Sequence, residues 1–307
     1  MKIEKYGKTK EHKQRFRCQL CGKTFVWKEP HVKRYKEQHW FKLWIQEAYS
    51  TRQLSKLSGH SESKLKRIRR YWLNQEPPKK LIDLSQYKCL VYDGTYFHKD
   101  GCLICLMDAW SQKIIASTYA DREGFKSTHP WFEDLKSQGL YPDVIAMDGE
   151  ISVLRAIKTT WPKTKVQRCL FHIQREGMRW LRTYPKTEAG KQLRKLLSTL
   201  CQVKCFKERK IFIQEFRQWL ETYHEFVQSL PTTNIAFKDL KRTIVLIKNA
   251  LPDMFRYFGK SLPATTNVLE SFYSRLKADY RRHRGLSQIN KIQYLKWYCY
   301  YKNTNTS

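Results

Sequence analysis

Carboxylates are scarce in this sequence: 28 Asp and Glu stand against 59 Lys and Arg, a formal charge of +31 over 307 residues. An excess of that size repels itself unless a polyanion neutralises it, and ordinary domains stay soluble on far smaller charges. The deficit therefore points to nucleic acid as the partner. It is steepest at the front, where residues 1–80 hold 22 basic and 7 acidic side chains, a net of +15, leaving +16 for the other 227. Long apolar runs are missing as well. None approaches the ~18 residues that a membrane span needs, which excludes a membrane-inserted helix, and no apolar signal segment opens the chain. The nine cysteines, an odd number, are accordingly expected as reduced thiols in a cytoplasmic protein. What the chain does contain, 41% apolar and 14% aromatic residues, is enough for two domains with a real core and excludes a disordered basic tail.

The front segment also lacks half of a zinc site. "KQRFRCQLCGKTFVW" carries Cys18-x2-Cys21 followed by Gly22 and aromatics, as one half of a zinc ribbon does. A ribbon needs a second ligand pair, and only His12 and His31 offer substitutes. The segment either holds zinc that way or is a ribbon that no longer closes. Residues 39–73 follow with apolar residues at helical spacing, interrupted by Gly59. Ser50 or Thr51 can cap one short helix, and Ser61 or Ser63 the next. A turn followed by a helix bearing Lys64, Lys66, Arg67, Arg69 and Arg70 is the helix-turn-helix arrangement, whose second helix enters the DNA major groove. Leu65, Ile68 and Trp72 give that helix a core face. Asn74 to Lys80, with Pro77 and Pro78, then breaks it and marks a domain boundary.

From Lys88 the pattern changes. "CLVYDGTYF", "GCLICLMDAW" and "KIIASTYA" read as three antiparallel strands, then come a helix ("HPWFEDLKSQG"), a strand ("DVIAMDG"), a helix ("SVLRAIKTTW") and a strand ("KVQRCLF"). That order predicts an α/β fold, a mixed sheet covered by helices on both faces as in the ribonuclease-H-like fold. From Arg175 to about Ser261 only helical periodicity is visible, an all-helical insertion. The expected domains are a partial zinc-ribbon-like segment (1–32), a helix-turn-helix domain (33–80), the first part of the core (81–180), the insertion (181–262), and a final core helix with the tail (263–307).

Two acids stand at predicted strand ends before glycine, Asp93 in "VYDGTYF" and Asp148 in "IAMDGE". An acid among buried strand residues must be neutralised or bind a cation, and the glycines leave room for a ligand. Glu270 borders the buried stripe Leu269, Phe272, Leu276 and Tyr280 of a helix that Pro263 and Thr265, Thr266 and Asn267 introduce; Arg275 and Lys277 are placed to face solvent or phosphate. Two aspartates and a glutamate can hold a pair of magnesium (or manganese) ions ~3.5 to 4 Å apart, the arrangement for in-line phosphoryl displacement. Asp108, in "DAW", is expected to be structural, as are His98 in a hairpin turn and His129 at a helix entry. Cys102 and Cys105 read as core thiols.

Taken together, "DGT", "REGFKSTHPWFEDL", "MDGE", "CLFHIQR" and "TTNVLESFYSRLK", in that order between about Tyr87 and Arg284, resemble the Mutator-type transposases of bacterial insertion sequences, a branch of the DDE group with a ribonuclease-H-like core. The resemblance implies that Asp93, Asp148 and Glu270 are the catalytic acids and that Cys169 and His172 are the family's Cys-x2-His signature, packed beside them. It also implies a front end like the zinc-binding variant of the group. In a continuing strand Cys169 and His172 would point to opposite faces, so they converge only if a turn or a helix begins there; Cys201 and Cys205, one helical turn apart, would be needed to complete a zinc site.

The expectation is a DNA transposase, cytoplasmic and nucleoid-associated in a bacterium, that binds the terminal inverted repeats of its element through residues 1–80 and cuts and joins double-stranded DNA as a homo-oligomer, with no membrane partner. The alternatives are a transposase-derived regulator that binds DNA without cutting it, and a nuclease on the same fold that only hydrolyses.

Overall fold

A computed structural model describes residues 2–27, 30–78, 83–97, 100–257, 263–283 and 285–304. The chain divides into two compact units, one made of residues 1–76 and 279–294, the other of 77–278 and 295–307.

The first unit opens with a three-stranded antiparallel meander, β1 (Ile3–Lys8), β2 (Gln14–Cys18) and β3 (Thr24–Val26). The Cys18 to Gly22 turn is closed by Gly22 N donating to Cys18 O at 2.8 Å. Helices α1 (Pro30–Gln46), α2 (Thr51–Ser58) and α3 (Glu62–Leu73) follow. Ser50 caps α2 in a reciprocal capping box with Gln53, Gly59 ends it, and Ser61 caps α3. These are the start and stop signals visible in the sequence. The helices bury Phe41, Trp44, Ile45, Leu54, Leu65 and Ile68. Residues 279–294 belong with this unit because His283 Nε2 lies 2.8 Å from Trp44 O and Tyr294 Oη donates to Ile45 O at 3.2 Å.

The second unit is built on a five-stranded mixed sheet of β4 (Cys89–Tyr96), β5 (Cys102–Asp108), β6 (Ile114–Ala120), β7 (Val144–Met147) and β8 (Lys165–Arg168), in the order β6-β5-β4-β7-β8. The first three run antiparallel to one another, β7 lies parallel to β4, and β8 parallel to β7. Helices α4 (Phe125–Ser137) and α5 (Ile151–Thr160) make the crossovers and cover one face, where Leu90, Tyr92, Ile104, Leu106, Ile145 and Met147 meet Phe132, Leu135, Val153 and Ile157. These strand residues alternate as the pleat requires, which sends Val91, Asp93 and Thr95 to the opposite face. Helix α4 begins at Phe125, earlier than expected, so His129 and Pro130 lie inside it. Pro130 is the sixth residue of that helix and has no N–H to donate four residues back, so one backbone bond of its ladder is missing there.

Helices α6 (Leu170–Leu181), α7 (Glu188–Ser198), α8 (Phe206–Ser229) and α9 (Ile235–Ala250) pack on one another through Leu193, Leu197, Phe212, Phe216, Leu240 and Ile247. Among the described residues from 170 to 257 there is no strand. The last helices are α10 (Asn267–Arg281) and α11 (Gln288–Lys302).

Candidate active site

Strand register brings the first two acids together. Val91 of β4 pairs with Ala146 of β7 in parallel, so Asp93 and Asp148, each two residues further on, stand side by side on the same face of the sheet. Asp93 is not at a strand end, as its following glycine suggested; it is the fifth residue of an eight-residue strand and is 8% exposed. Asp148 does lie just past the end of β7, and Glu150 N donates to its Oδ1 at 3.0 Å. The glycines after both acids leave room, but side chains of this chain occupy it. A Cβ on Gly149, whose φ is +95°, would fall 1.8 Å from Arg168 Nε, and that nitrogen donates to Asp148 O at 3.2 Å. A Cβ on Gly94 would fall 2.7 Å from Glu123 Oε2.

The third acid arrives on α10, 122 positions beyond Asp148. Tyr273, one turn after Glu270, donates from its hydroxyl to Asp93 O at 2.6 Å and so ties this helix to β4 beside the first acid. The start of the same helix is tied to α6: Leu170 N donates to Ala264 O at 3.0 Å, Thr266 N to Cys169 Sγ at 3.3 Å, and Thr266 Oγ1 lies 3.5 Å from both Cys169 Sγ and His172 Nδ1. His172 Nε2 then reaches Glu270 Oε1 at 3.1 Å, with Arg175 Nη1 3.8 Å from the same oxygen. Cys169 and His172 therefore meet because the strand ends at Arg168 and a helix starts, and they link the third acid to the core. Cys201 and Cys205 do not share a helix turn as expected. Cys201 sits in a 3-10 turn (Leu200–Gln202) and Cys205 just before α8, with Val203 and Cys205 itself extended.

The acids perturb one another. Burial raises the Asp93 carboxyl well above its ordinary range, and the charges of Asp148, Glu123 and Glu270 push it the same way against His172. Burial also raises Glu123, a carboxylate that pattern reading passed over; its sequence signal is the "REGF" segment before α4. Burial pulls down the Arg168 guanidinium, which Asp148 partly restores. At the link, burial acts against the charged forms of both Cys169 and His172, but their mutual hydrogen bond and charge outweigh it, lowering the thiol and raising the imidazole. Hard carboxylate oxygens that repel one another in a buried setting suit magnesium or manganese in donor chemistry. Among the described residues, no three His, Cys, Asp or Glu side chains converge closely enough to hold a metal ion as they stand; Glu270 is turned to His172. The same holds at Cys18, buried, and Cys21, exposed; the side chain of His31, and His98, lie outside the described residues.

Residues 44–284 match the Mutator family of transposases. The chain belongs to that family. The transposase for insertion sequence element IS6120 of Mycolicibacterium smegmatis is 28% identical over 128 residues, 38% of this chain. The match spans 40% of that relative's length. Among solved structures, one chain of the cryo-EM structure of the simian T-cell lymphotropic virus intasome in complex with PP2A regulatory subunit B56 gamma aligns over 56% of this chain and 66% of its own, at 14% identity. Its TM-score of 0.23 is too low to carry an argument.

The basic residues of this Mutator-family chain fall into two groups. On α3, Lys66, Arg67 and Arg70 are exposed, and Lys64 is half-buried beside His60. Arg69 is not a solvent-facing member of the set: its guanidinium packs over the Trp44 ring, 5.3 Å from the centroid, because i+1 and i+4 from Ile68 and Leu65 is the edge of the core stripe. On α10, Arg275 is exposed, while Lys277 lies over Phe97 at 5.7 Å. Asp108 caps a turn, accepting from Ser111 N at 2.8 Å and Ser111 Oγ at 2.7 Å, and Cys102 and Cys105 are buried in β5. No helix of the described residues is long and apolar enough to cross a membrane.

Proposed function

We propose that this chain is a DDE-type DNA transposase that binds the terminal inverted repeats of its element and performs both phosphodiester cleavage and strand transfer at Asp93, Asp148 and Glu270. The observation that supports the proposal is that strand register sets Asp93 beside Asp148, while the Tyr273 to Asp93 hydrogen bond ties the helix that carries Glu270 to the same strand. The sheet order β6-β5-β4-β7-β8, with three antiparallel strands first and two parallel ones after, supports a ribonuclease-H-like core.

Two magnesium or manganese ions held by Asp93, Asp148 and Glu270 would supply charge neutralisation at the attacked phosphate and activation of the attacking oxygen. The residues of this chain prepare that site. Burial and mutual repulsion keep Asp93 poised to gain from a cation, Arg168 and the Glu150 amide fix the Asp148 loop, and Cys169, Thr266 and His172 hold the start of α10 and Glu270. In the first step a water oxygen attacks the phosphodiester at the element end and the 3′ oxygen leaves as a hydroxyl. In the second, that hydroxyl oxygen attacks a target phosphodiester and displaces its 3′ oxygen. No covalent protein intermediate is needed. The helix pair α2 and α3, joined at Gly59, is read as a helix-turn-helix with Lys66, Arg67 and Arg70 toward DNA, and Cys18 with Cys21 as half of a zinc knuckle.

The test is magnesium-dependent cleavage of terminal-repeat DNA by Asp93→Asn, Asp148→Asn and Glu270→Gln, with DNA binding measured in parallel. Each should lose on the order of 100-fold or more in rate and retain binding. Near-normal cleavage by Glu270→Gln would return the chain to the DNA-binding regulator. Pre-cut ends in a strand-transfer assay separate a transposase from a nuclease that only hydrolyses.

A further inference from the structure

The first unit holds a groove of about 760 Å3 that the reading of α3 leaves unused. It lies between the β-meander and α1, with His60 and Lys64 at the start of α3 also lining it, and all of its lining residues belong to this unit. Its apolar surface is Phe16 of β2, Val26 of β3, Trp27 just beyond β3 and Trp40 of α1. Trp27 is 63% exposed and stands edge-on to Phe16, ring centroids 6.3 Å apart at 69°, while Trp40 stands edge-on to His60 at 6.1 Å and 73°. Apolar residues scattered singly over a surface need no explanation, whereas rings gathered in one groove mark a binding surface.

Lysines surround these rings. Lys13, Lys33, Lys36 and Lys64 line the groove, and among the described lining residues Glu37 is the one acid. Glu37 is 7% exposed and already met by Arg34 Nη1 at 2.7 Å and Lys33 Nζ at 3.8 Å, while Lys13 pairs with Glu11. Four lysines and Arg34 against two acids leave the groove positive, so a polyanion complements it. The rings narrow the choice. Within a duplex each base is covered on both faces by its stacked neighbours, and a protein ring meets edges and phosphates alone. An unpaired base offers its whole π-face, and lysines for the backbone combined with aromatic rings for the bases is the arrangement that holds single strands. By contrast Lys66, Arg67 and Arg70 of α3 are exposed but do not line the groove; they supply charge without rings, as suits duplex phosphates and base edges.

We propose that the groove between the meander and α1 binds single-stranded DNA, with bases stacking on Trp27 and Trp40 and phosphates meeting Lys36 and Lys64, so that the first unit engages unpaired nucleotides apart from the duplex contact of α3. The proposal rests on the reading of this unit as the DNA-binding part of the chain. Its test is fluorescence anisotropy with the full chain at about 0.15 M salt, where exposed charges are largely screened, using dye-labelled oligothymidylate of about 16 nucleotides and, separately, terminal-repeat duplex. Trp27→Ala should weaken oligothymidylate binding about fivefold or more, the loss of one stacked base, and leave duplex affinity unchanged. Trp27→Phe should keep most of the single-strand affinity, and Lys36→Ala should lower it. Because the Trp27 ring is mostly exposed, Trp27→Ala should melt with the wild type; should it fail to fold, Lys36→Ala decides in the same way. Unchanged oligothymidylate affinity in the substituted chain overturns the proposal, and so does an equal loss for both DNAs, which makes the groove an extension of the duplex surface. A wild-type dimer that Trp27→Ala dissolves in light scattering, with single-strand affinity unchanged, overturns it in favour of a second copy of the chain. Replacing Lys66, Arg67 and Arg70 with alanine separates the two readings: lost duplex binding beside retained oligothymidylate binding supports both, whereas unchanged duplex binding overturns the reading of α3 and not the groove. No binding of either DNA by the wild type overturns the reading of the unit and the proposal with it.

Discussion

Gly149→Ala should unfold the second unit more easily, and the structure gives the size of the effect. The added Cβ would lie 1.8 Å from Arg168 Nε, 1.9 Å from Cζ and 2.3 Å from Nη2. An arginine tip can often swing away from such a clash at little cost. Here it is anchored by its bond to Asp148 O and by the charges of Asp148 and Asp253, and losing a hydrogen bond from a charged donor costs about 1.5–3 kcal/mol. Alanine at a φ of +95° adds strain of about 1–3 kcal/mol. The sum is about 2.5–6 kcal/mol, and for a unit of this size each kcal/mol moves Tm by roughly 2–4 °C. The Tm of Gly149→Ala should therefore fall by about 5–24 °C. In an Arg168→Ala background only the backbone strain remains, so the same substitution should cost about 1–3 kcal/mol. Equal losses in the two backgrounds, or a loss below about 1 kcal/mol in the wild type, would refute the placement of Arg168 over Gly149.

Two further predictions concern the first unit. Replacing Lys66, Arg67 and Arg70 together with alanine should reduce the salt dependence of DNA binding, each lost phosphate contact removing about 0.9 from the slope of log K against log salt; gel shifts between 50 and 200 mM salt measure it, whereas Arg69→Ala, packed on Trp44, should leave the slope unchanged and lower the melting temperature. His283, 7% exposed and hydrogen-bonded at Nε2 to Trp44 O, has its pKa lowered by burial, with Trp44 O and Asp279 opposing and Arg69 and Arg282 adding to the shift. The unfolded chain then takes up the proton first as pH falls below about 6.5, so stability is lost on acidification through that range and is flat above it. Denaturant melts from pH 7.5 to 5 should show this in the wild type and less of it in His283→Gln; identical profiles would count against the buried neutral imidazole.

Much of this protein could be read from its residues. The excess of positive charge, the capping serines Ser50 and Ser61, the strands around Asp93 and Asp148, the helices from 170 onward and the family membership all rest on composition, period or motif, which are local and therefore written in the chain. Pairings between distant positions were not legible. Nothing in the spacing of Cys169 and His172 states that a helix starts between them, that Thr266 joins them, or that the imidazole reaches Glu270. Arg69 looked like its basic neighbours until the packing of α3 set it on Trp44. Glu123 resembled any surface glutamate at a helix entry, and the glycines at 94 and 149 looked like room for a ligand. Only the tertiary structure fills that room with Glu123 and Arg168, because which side chain meets a strand across a sheet depends on register and crossover and not on neighbours in sequence.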